Sequence, residues 1–567
     1  MELESLGIRS LSKGINRSLS DFEIAPNECW LAENCFLDED KIAKRLGYTK
    51  LNSVAIEADV DVITIYEFYK ENTGDCYLLV QCGTSVYSMN KATGGKTVVL
   101  DGVLTAGSPL TYATINDVVY MSNGKDSVYK WDGSTATEVN AGDFPKARFI
   151  RVHADKLFFA NIGADSASYP ANPNMVYFSQ TGVPETIDSD AHLVVYTTDG
   201  DTISAICSLF GYLTLFKNYS THRLQGARKE ELVLDGSLVN AHPDVGCTSQ
   251  RSIAYAPGGV FFASSNGIQY YNGVAMAKMS DNVDFFINRG LKTYPSKFCG
   301  FWDGKHYRVA YPIRTSVTPN ESLVLNPKFG CWTLFTYGMN DFCASRDGTV
   351  YAAGDDGFVY KVDKGLADDG ASISMKVMTK VFDFEAPHTV KVLRKAIINV
   401  YKTEATLEFT TIVDRGSSAW TKSLVLSSGA TVWGLYNWAI TTGTVAVTNG
   451  SPNVAGTSVD WTLVLVGDHF KIDGDAATYE VHSVDAPAKT LVLTNSYAGT
   501  SGTGKGFCIW NDDTLIWTEP GLYAAPMSYP KSIKGRTVQF QFKEEGDSSM
   551  IEIYGLNIRF RALPGEK

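Results

Sequence analysis

Histidine, cysteine and carboxylate side chains are where chemistry would start, and here they are scattered. The chain has 567 residues with eight His, ten Cys and 62 acidic residues. His153, His192, His222, His242, His306, His388, His469 and His482 form no H-E-x-x-H or His-x-His arrangement, so no zinc site is expected. Cys29, Cys35, Cys76, Cys82, Cys207, Cys247, Cys299, Cys331, Cys343 and Cys508 contain no C-x-x-C pair, the spacing of redox and zinc motifs. No G-x-S-x-G elbow and no P-loop are present. Gly354 to Gly357 (GDDG) and Asp473-Gly474-Asp475 bring carboxylates together. Neither has the later ligands of a calcium loop, so both read as turns. A carboxylate pair for glycoside hydrolysis is set by spatial separation, not sequence spacing, and stays open. No residue is assigned a catalytic, cofactor-binding or metal-ligating role, no cofactor is expected, and the expectation is a protein that is not an enzyme.

The elements that would position any site are short strands. TYATINDVVYMS (Thr111 to Ser122) has two apolar runs around Asn116-Asp117, a pair that tolerates tight-turn angles. The pattern returns at Ile65 to Gly83, Ile150 to Asn161, Ile206 to Phe216, Ile253 to Ser264, Phe298 to Tyr311 and Phe342 to Gly354. These hairpins lie about 40 to 55 residues apart, the period of propeller blades. Third strands recur at Ser85 to Asn90, Ser127 to Gly133, Met175 to Gln180, Gly267 to Gly273 and Phe358 to Gly365. Small sheets stacked around an axis bury each other's faces. An all-β fold is expected, with a β-propeller over 56–368 of about seven blades, six or eight being open.

The composition agrees. Hydrophobic content is 44%, charged content 20% and aromatic content 12%, which is globular and rich in strand formers. The net charge of −12 disfavours nucleic-acid binding by phosphate neutralisation. Several cysteines fall inside strands and read as reduced and buried, which points to a reducing compartment. MELESLGIRS has neither the basic nor the apolar region of a signal peptide. No apolar run is long enough to span a bilayer.

Residues 1–55 read as an N-terminal arm. Pro26-Asn27 and ECWLAENC suggest a short helix capped by Asn27, and Lys41 to Asn52 a strand. The unit from Phe342 to Gly365 shows three strands, so Arg45 to Leu51 is a candidate to complete it and remove an open edge. Ser280 to Leu291 reads as a helix capped by Asp281, with Val283, Phe286 and Ile287 on one face. Two polar excursions, Gly163 to Asn174 and Ala227 to Gly236, read as loops where partners could dock. LADDGASIS reads as a linker. Long alternating strands beyond it predict a β-sandwich over 369–440 and 511–567. A Gly-, Ser- and Thr-rich stretch, 441–510, reads as a small β module inserted into it.

The arm also carries a resemblance. Leu-Ser-Lys-Gly-Ile-Asn (Leu11 to Asn16), Pro26-Asn27-Glu28, Ala32-Glu33-Asn34 and Lys44-Arg45-Leu46-Gly47-Tyr48 together resemble the opening of the tail nozzle and packaged-DNA stabilisation proteins of short-tailed bacteriophages. Within the inserted stretch, TVAVTNGS, Trp461, GDHFKIDGD, YEVHSV and YAGTSGTG are similar to a module found in phage tail and fibre proteins. The resemblance implies a virion tail protein assembled in the host cytoplasm. It implies a homo-oligomeric ring of six copies below the portal and adaptor (head-tail connector) that seals and then conducts genomic DNA during ejection. Implied partners are that adaptor, tail fibre or needle proteins, and double-stranded DNA passing without sequence-specific binding. No stable membrane insertion is implied. A lumen lined by Asp and Glu would not grip a phosphate backbone. The other expectation is a glycan-binding or glycan-cleaving propeller, a receptor-binding protein or depolymerase. Lys44-Arg45 is expected where a strand emerges into solvent, with Gly14 and Gly47 in turns.

Overall fold

The computed structural model describes residues 4–563 apart from 39, 197–198, 235–236, 314, 402–404, 427–442, 463, 465, 476, 511–521, 531 and 548–549. Each repeated unit starts from local turn chemistry. Asn116 and Asp117 take φ of 53° and 59°, the left-handed pair of a tight hairpin turn. Thr111–Ile115 therefore folds back on Val118–Ser122 with Ile115 opposite Val118. Ala154-Asp155 and Phe210-Gly211 repeat the device in the next two units. The second strand of each hairpin has neighbours on both faces, so Leu78 to Val80 and Leu157 to Ala160 are fully buried. Each such Leu or Phe contributes about 1.5–3 kcal/mol.

Five self-contained four-stranded antiparallel sheets cover 62–100, 111–138, 146–194, 203–242 and 254–278. A sixth discrete blade holds Asp341–Ala344, Val350–Ala353 and Val359–Val362. Its fourth strand comes from the other end of the chain: Tyr48–Lys50 runs antiparallel to Tyr360–Val362. The remaining place in the ring is filled by Cys299–Trp302, Tyr307–Tyr311, Glu321–Asn326 and Cys331–Phe335, one end of a ten-stranded sheet. Apolar clusters join neighbours around the ring and return from the closing blade (Tyr351, Ala353) to the first (Leu78, Val80). Phe261 stacks on Tyr307 at 5.0 Å to join the fifth blade to the ten-stranded sheet. The seven hairpins of the sequence all form. Two third strands had no clear sequence signal, Thr221–Leu224 and Glu321–Asn326.

The ten-stranded sheet leaves the ring through Gly14–Ile15 and Glu28–Glu33, then takes in Met375–Phe382, Val538–Glu544, Ala405–Val413 and Ser418–Leu426. A second sheet contains Cys35–Leu37, Ile42–Lys44, Glu552–Ala562, Lys391–Tyr401 and Leu522–Ser528, with Glu4–Ile8 and Lys534–Gly535 at its margins. Phe384 meets Phe560 at 4.2 Å, and Thr411 hydrogen-bonds Tyr529 at 2.8 Å. Propeller and paired sheets form one compact unit, with residues 1–398, 405–425 and 525–567. The second unit, Asn399–Glu404 with Leu426–Ala524, holds a seven-stranded sheet. The sheet's two edge strands, Gly502–Lys505 and Phe507–Trp510, are separated only by Gly506, so it curls back on itself. Trp461, Phe470, Tyr497 and Phe507 fill its core.

Four local expectations are corrected. Glu28–Glu33 is a strand, not an Asn27-capped helix. It lies parallel to Gly14–Ile15 and antiparallel to Met375–Phe382, and this pairing outweighs the local cap signal. The supposed linker contains two short paired strands, Ala367–Asp368 and Ala371–Ser372. The helix runs over Asp284–Thr293 behind a 3-10 turn, Asp281–Val283, and Asp281 does not cap it. Val283 and Ile287 are buried there as the pattern predicts. Finally, Lys44 and Arg45 do not emerge into solvent: they are 2% and 1% exposed.

Candidate functional site

The first strands of neighbouring blades pack against one another, so their side chains meet at the propeller axis. Tyr66 and Tyr112 stack at 4.9 Å, and each hydroxyl bonds a threonine of the other's strand, Thr114 and Thr64, at 2.9 Å. Arg151 of the third blade donates to the Tyr255 hydroxyl of the fifth at 2.8 Å, passing over the fourth. The Ser208 amide donates to the same oxygen at 3.2 Å. Gln250 pairs its amide with both backbone groups of Ile206, like an added strand residue. Arg251 reaches across the ring and donates through Nη1 to the carbonyls of Asn340 (2.7 Å) and Ile63 (3.2 Å). The Asp341 carboxylate accepts the Ile65 N–H at 3.1 Å and ties the closing blade to the first.

Burial sets the electrostatics of this rim. It lifts the Asp341 carboxyl to about 6, with Arg251 opposing the shift. It lifts the Tyr255 hydroxyl to about 12 and raises those of Tyr66 and Tyr112, so all three tyrosines stay neutral donors. Desolvation by the surrounding first strands and the nearby Arg251 lower the pKa of Arg148, although part of the residue reaches solvent. Lys297 is lowered by burial and by Arg251, with Asp61 opposing. The rim interleaves cations and carboxylates: Arg251 lies near Asp341, and Lys297 near Asp61, which in turn feels Asp355 and Asp356. None of these residues was singled out by the sequence. Arg148 and Arg151 are charges inside an otherwise apolar first strand, whereas Gln250, Arg251 and Lys297 lie in the 3-10 turns that lead into the next first strands and give no sequence signal.

A second polar cluster lies where the arm meets both sheets. Lys44 pairs with Glu544, both nearly inaccessible. Arg45 grips Asp368 with two bonds of 2.7 and 2.6 Å and donates through Nε to Asn34 at 2.8 Å. A side chain on Gly47 would place Cβ 1.9 Å from the Ala367 carbonyl, and one on Gly14, at φ +70°, 2.6 Å from that of Trp332. Both glycines are fixed by close backbone approach.

The sequence candidates resolve into turns. Asp356 accepts bonds from the Tyr360 hydroxyl and Phe358 amide, and Asp475 accepts one from the Tyr497 hydroxyl. Among the described residues no group of three His, Cys, Asp or Glu could hold a metal ion. All ten cysteines are free, and only Cys76 is exposed. Of the second polar loop, the described part packs against the third blade, where Lys229 bridges Asp188 and Asp190. A cavity of about 270 Å³ opens there, lined by Lys156, Gln180, Thr181, Asp188, Arg228 and Lys229 among others. No described helix is long and apolar enough to cross a membrane.

No protein-family model matches the chain, and no curated protein matches it. Solved structures do. The WD40 domain of Pan2 from Neurospora crassa is similar over 58% of this chain and 98% of its own, at 11% identity and a TM-score of 0.38. YCF48 from Cyanidioschyzon merolae is similar over 56% and 98%, at 7% identity and 0.36. BamB from Moraxella catarrhalis is similar over 64% and 96%, at 11% identity and 0.35. The chain is an all-β protein with a β-propeller, as its own strand order requires.

Proposed function

We propose that this protein is a structural component of a short-tailed bacteriophage tail, a ring below the portal and adaptor that retains and then conducts DNA. One observation carries the reading. The residues that resemble the nozzle opening (Gly14, Asn34, Lys44, Arg45, Gly47) are also those that lock the arm between propeller and paired sheets. That lock would hold a tail subunit rigid, which is the role the resemblance implies for this opening. The net charge of −12 also suits a conduit that must let a polyanion pass. Six copies, an acidic lumen, an adaptor above and fibres or a needle below complete the proposal. Electron microscopy of the purified protein tests it. A ring with a central hole, matched in a virion tail, is the expected result, and a monodisperse monomer under assembly conditions would count against it.

The second reading, a glycan-recognising propeller, is favoured by Tyr255, a residue 40% exposed beside Arg151 at the axis. Release of reducing ends from a host polysaccharide would support cleavage.

A further inference from the structure

We propose that the cavity between the third blade and the loop at 227–234 binds a small hydroxylated carboxylate, a sugar acid, with its carboxylate on Lys156. The cavity has a volume of about 270 Å³, just under the usual range of small-ligand sites, about 300–1,000 Å³, and has room for one sugar ring. Lys156 lines it although only 3% of the residue is exposed. An ammonium carries three N–H donors. Among the described residues Lys156 has one partner for them, the Thr181 hydroxyl, and no carboxylate pairs with it. A buried cation in that state lacks the counter-charge that normally offsets its desolvation, and a carboxylate entering the cavity supplies it through charge-assisted hydrogen bonds.

The protein's own carboxylates around the cavity are engaged elsewhere. The two oxygens of Asp188 accept from Gln180 at 2.7 Å and from Lys229 at 2.8 Å, and Lys229 also holds Asp190 at 2.5 Å. Asp188 feels the charge of Lys156 without a bond to it. Glu230 is exposed at the rim beside the exposed Arg228. The cavity therefore has no bulk positive field that would draw a polyanion, and its selectivity is positional. One buried donor awaits one carboxylate, while Gln180, Thr181 and Asp188 line the walls where hydroxyl groups would sit.

The inference does not depend on the tail reading, since a ring subunit and a monomer would both carry this cavity. The test titrates the full chain by calorimetry with sodium glucuronate as the probe, and with glucose and sodium acetate as controls that keep only the hydroxyls or only the carboxylate. Glucuronate is expected to bind in the millimolar range or tighter, and more tightly than either control. Lys156→Met should weaken it about tenfold or more, the effect of losing a hydrogen bond to a charged group. The melting temperature of the unliganded variant should not fall, because the substitution removes a buried charge and strands no carboxylate. Gln180→Ala, at an exposed residue, is the second variant and should bring glucuronate down toward acetate. The proposal is overturned if glucuronate binds no better than glucose or acetate. It is overturned equally if Lys156→Met, or Gln180→Ala where the first does not fold, binds glucuronate like the parent.

Discussion

Two groups of cations in this molecule have opposite surroundings. At the arm, Lys44 and Arg45 lie in protein with a carboxylate each, Glu544 and Asp368. At the axis, Arg148 and Lys297 are exposed and Arg148 has no carboxylate partner. A buried ion must be paired because its desolvation costs several kcal/mol. An exposed cation keeps much of its hydration and needs no partner. The first group therefore holds the fold, and the second can be changed without breaking it.

Breaking the arm pair should give the largest effect. Lys44→Ala leaves the Glu544 carboxyl without its cation at 1% side-chain exposure, and a loss of about 3–5 kcal/mol is expected by denaturant unfolding. The double variant Lys44→Met with Glu544→Leu should recover most of it, because no orphan charge remains. A Lys44→Ala protein as stable as the parent would show the pair to be dispensable. Arg45→Lys comes next. It keeps the charge but loses the fork on Asp368 and the bond to Asn34, so about 1–3 kcal/mol should be lost.

The same contrast explains what could be read from the chain. Asn116-Asp117 and its counterparts are local, so all seven hairpins were legible, and the missing fourth strand pointed to Arg45 to Leu51, within which Tyr48–Lys50 pairs, because an open edge needs a partner. The partners of Lys44 and Arg45 lie at Glu544 and Asp368, far along the sequence, and nothing near Lys44 announces them. Glu28–Glu33 failed for the same reason: its cap signal is local, while the strand Met375–Phe382 that overrules it is remote. The axial cluster was hidden more deeply, since Arg251 makes its bonds to backbone carbonyls of Ile63 and Asn340, which no side-chain pattern reveals.

Asp341 sharpens the comparison through pH. Its folded-state pKa, about 6, lies above that of an unfolded Asp, about 3.9. Its contribution to stability is therefore full below about 3.9 and is lost as pH rises through about 6. Asp341→Asn retains an acceptor for the Ile65 amide and removes the buried charge. At pH 8 the variant should melt about 2–4 °C higher than the parent, and the two curves should converge by pH 4. A variant less stable at every pH would mean that the charge, through Arg251, outweighs its desolvation.

Arg148→Gln should have the smallest effect of all, and that is its value. The side chain is exposed, has no acidic partner among the described residues, and is repelled by Arg251. Replacing it removes a repulsion and a cation–π contact with Phe149 at 5.4 Å, which oppose each other, so the change should stay within about 0.5 kcal/mol, whereas Lys44→Ala should cost several times more. Thermal melts of the two variants, recorded side by side in low and in high salt, separate the cases. Salt should bring Arg148→Gln and the parent together by screening the axial repulsion, and should leave the Lys44→Ala deficit in place, because ions do not reach a pair buried between two sheets.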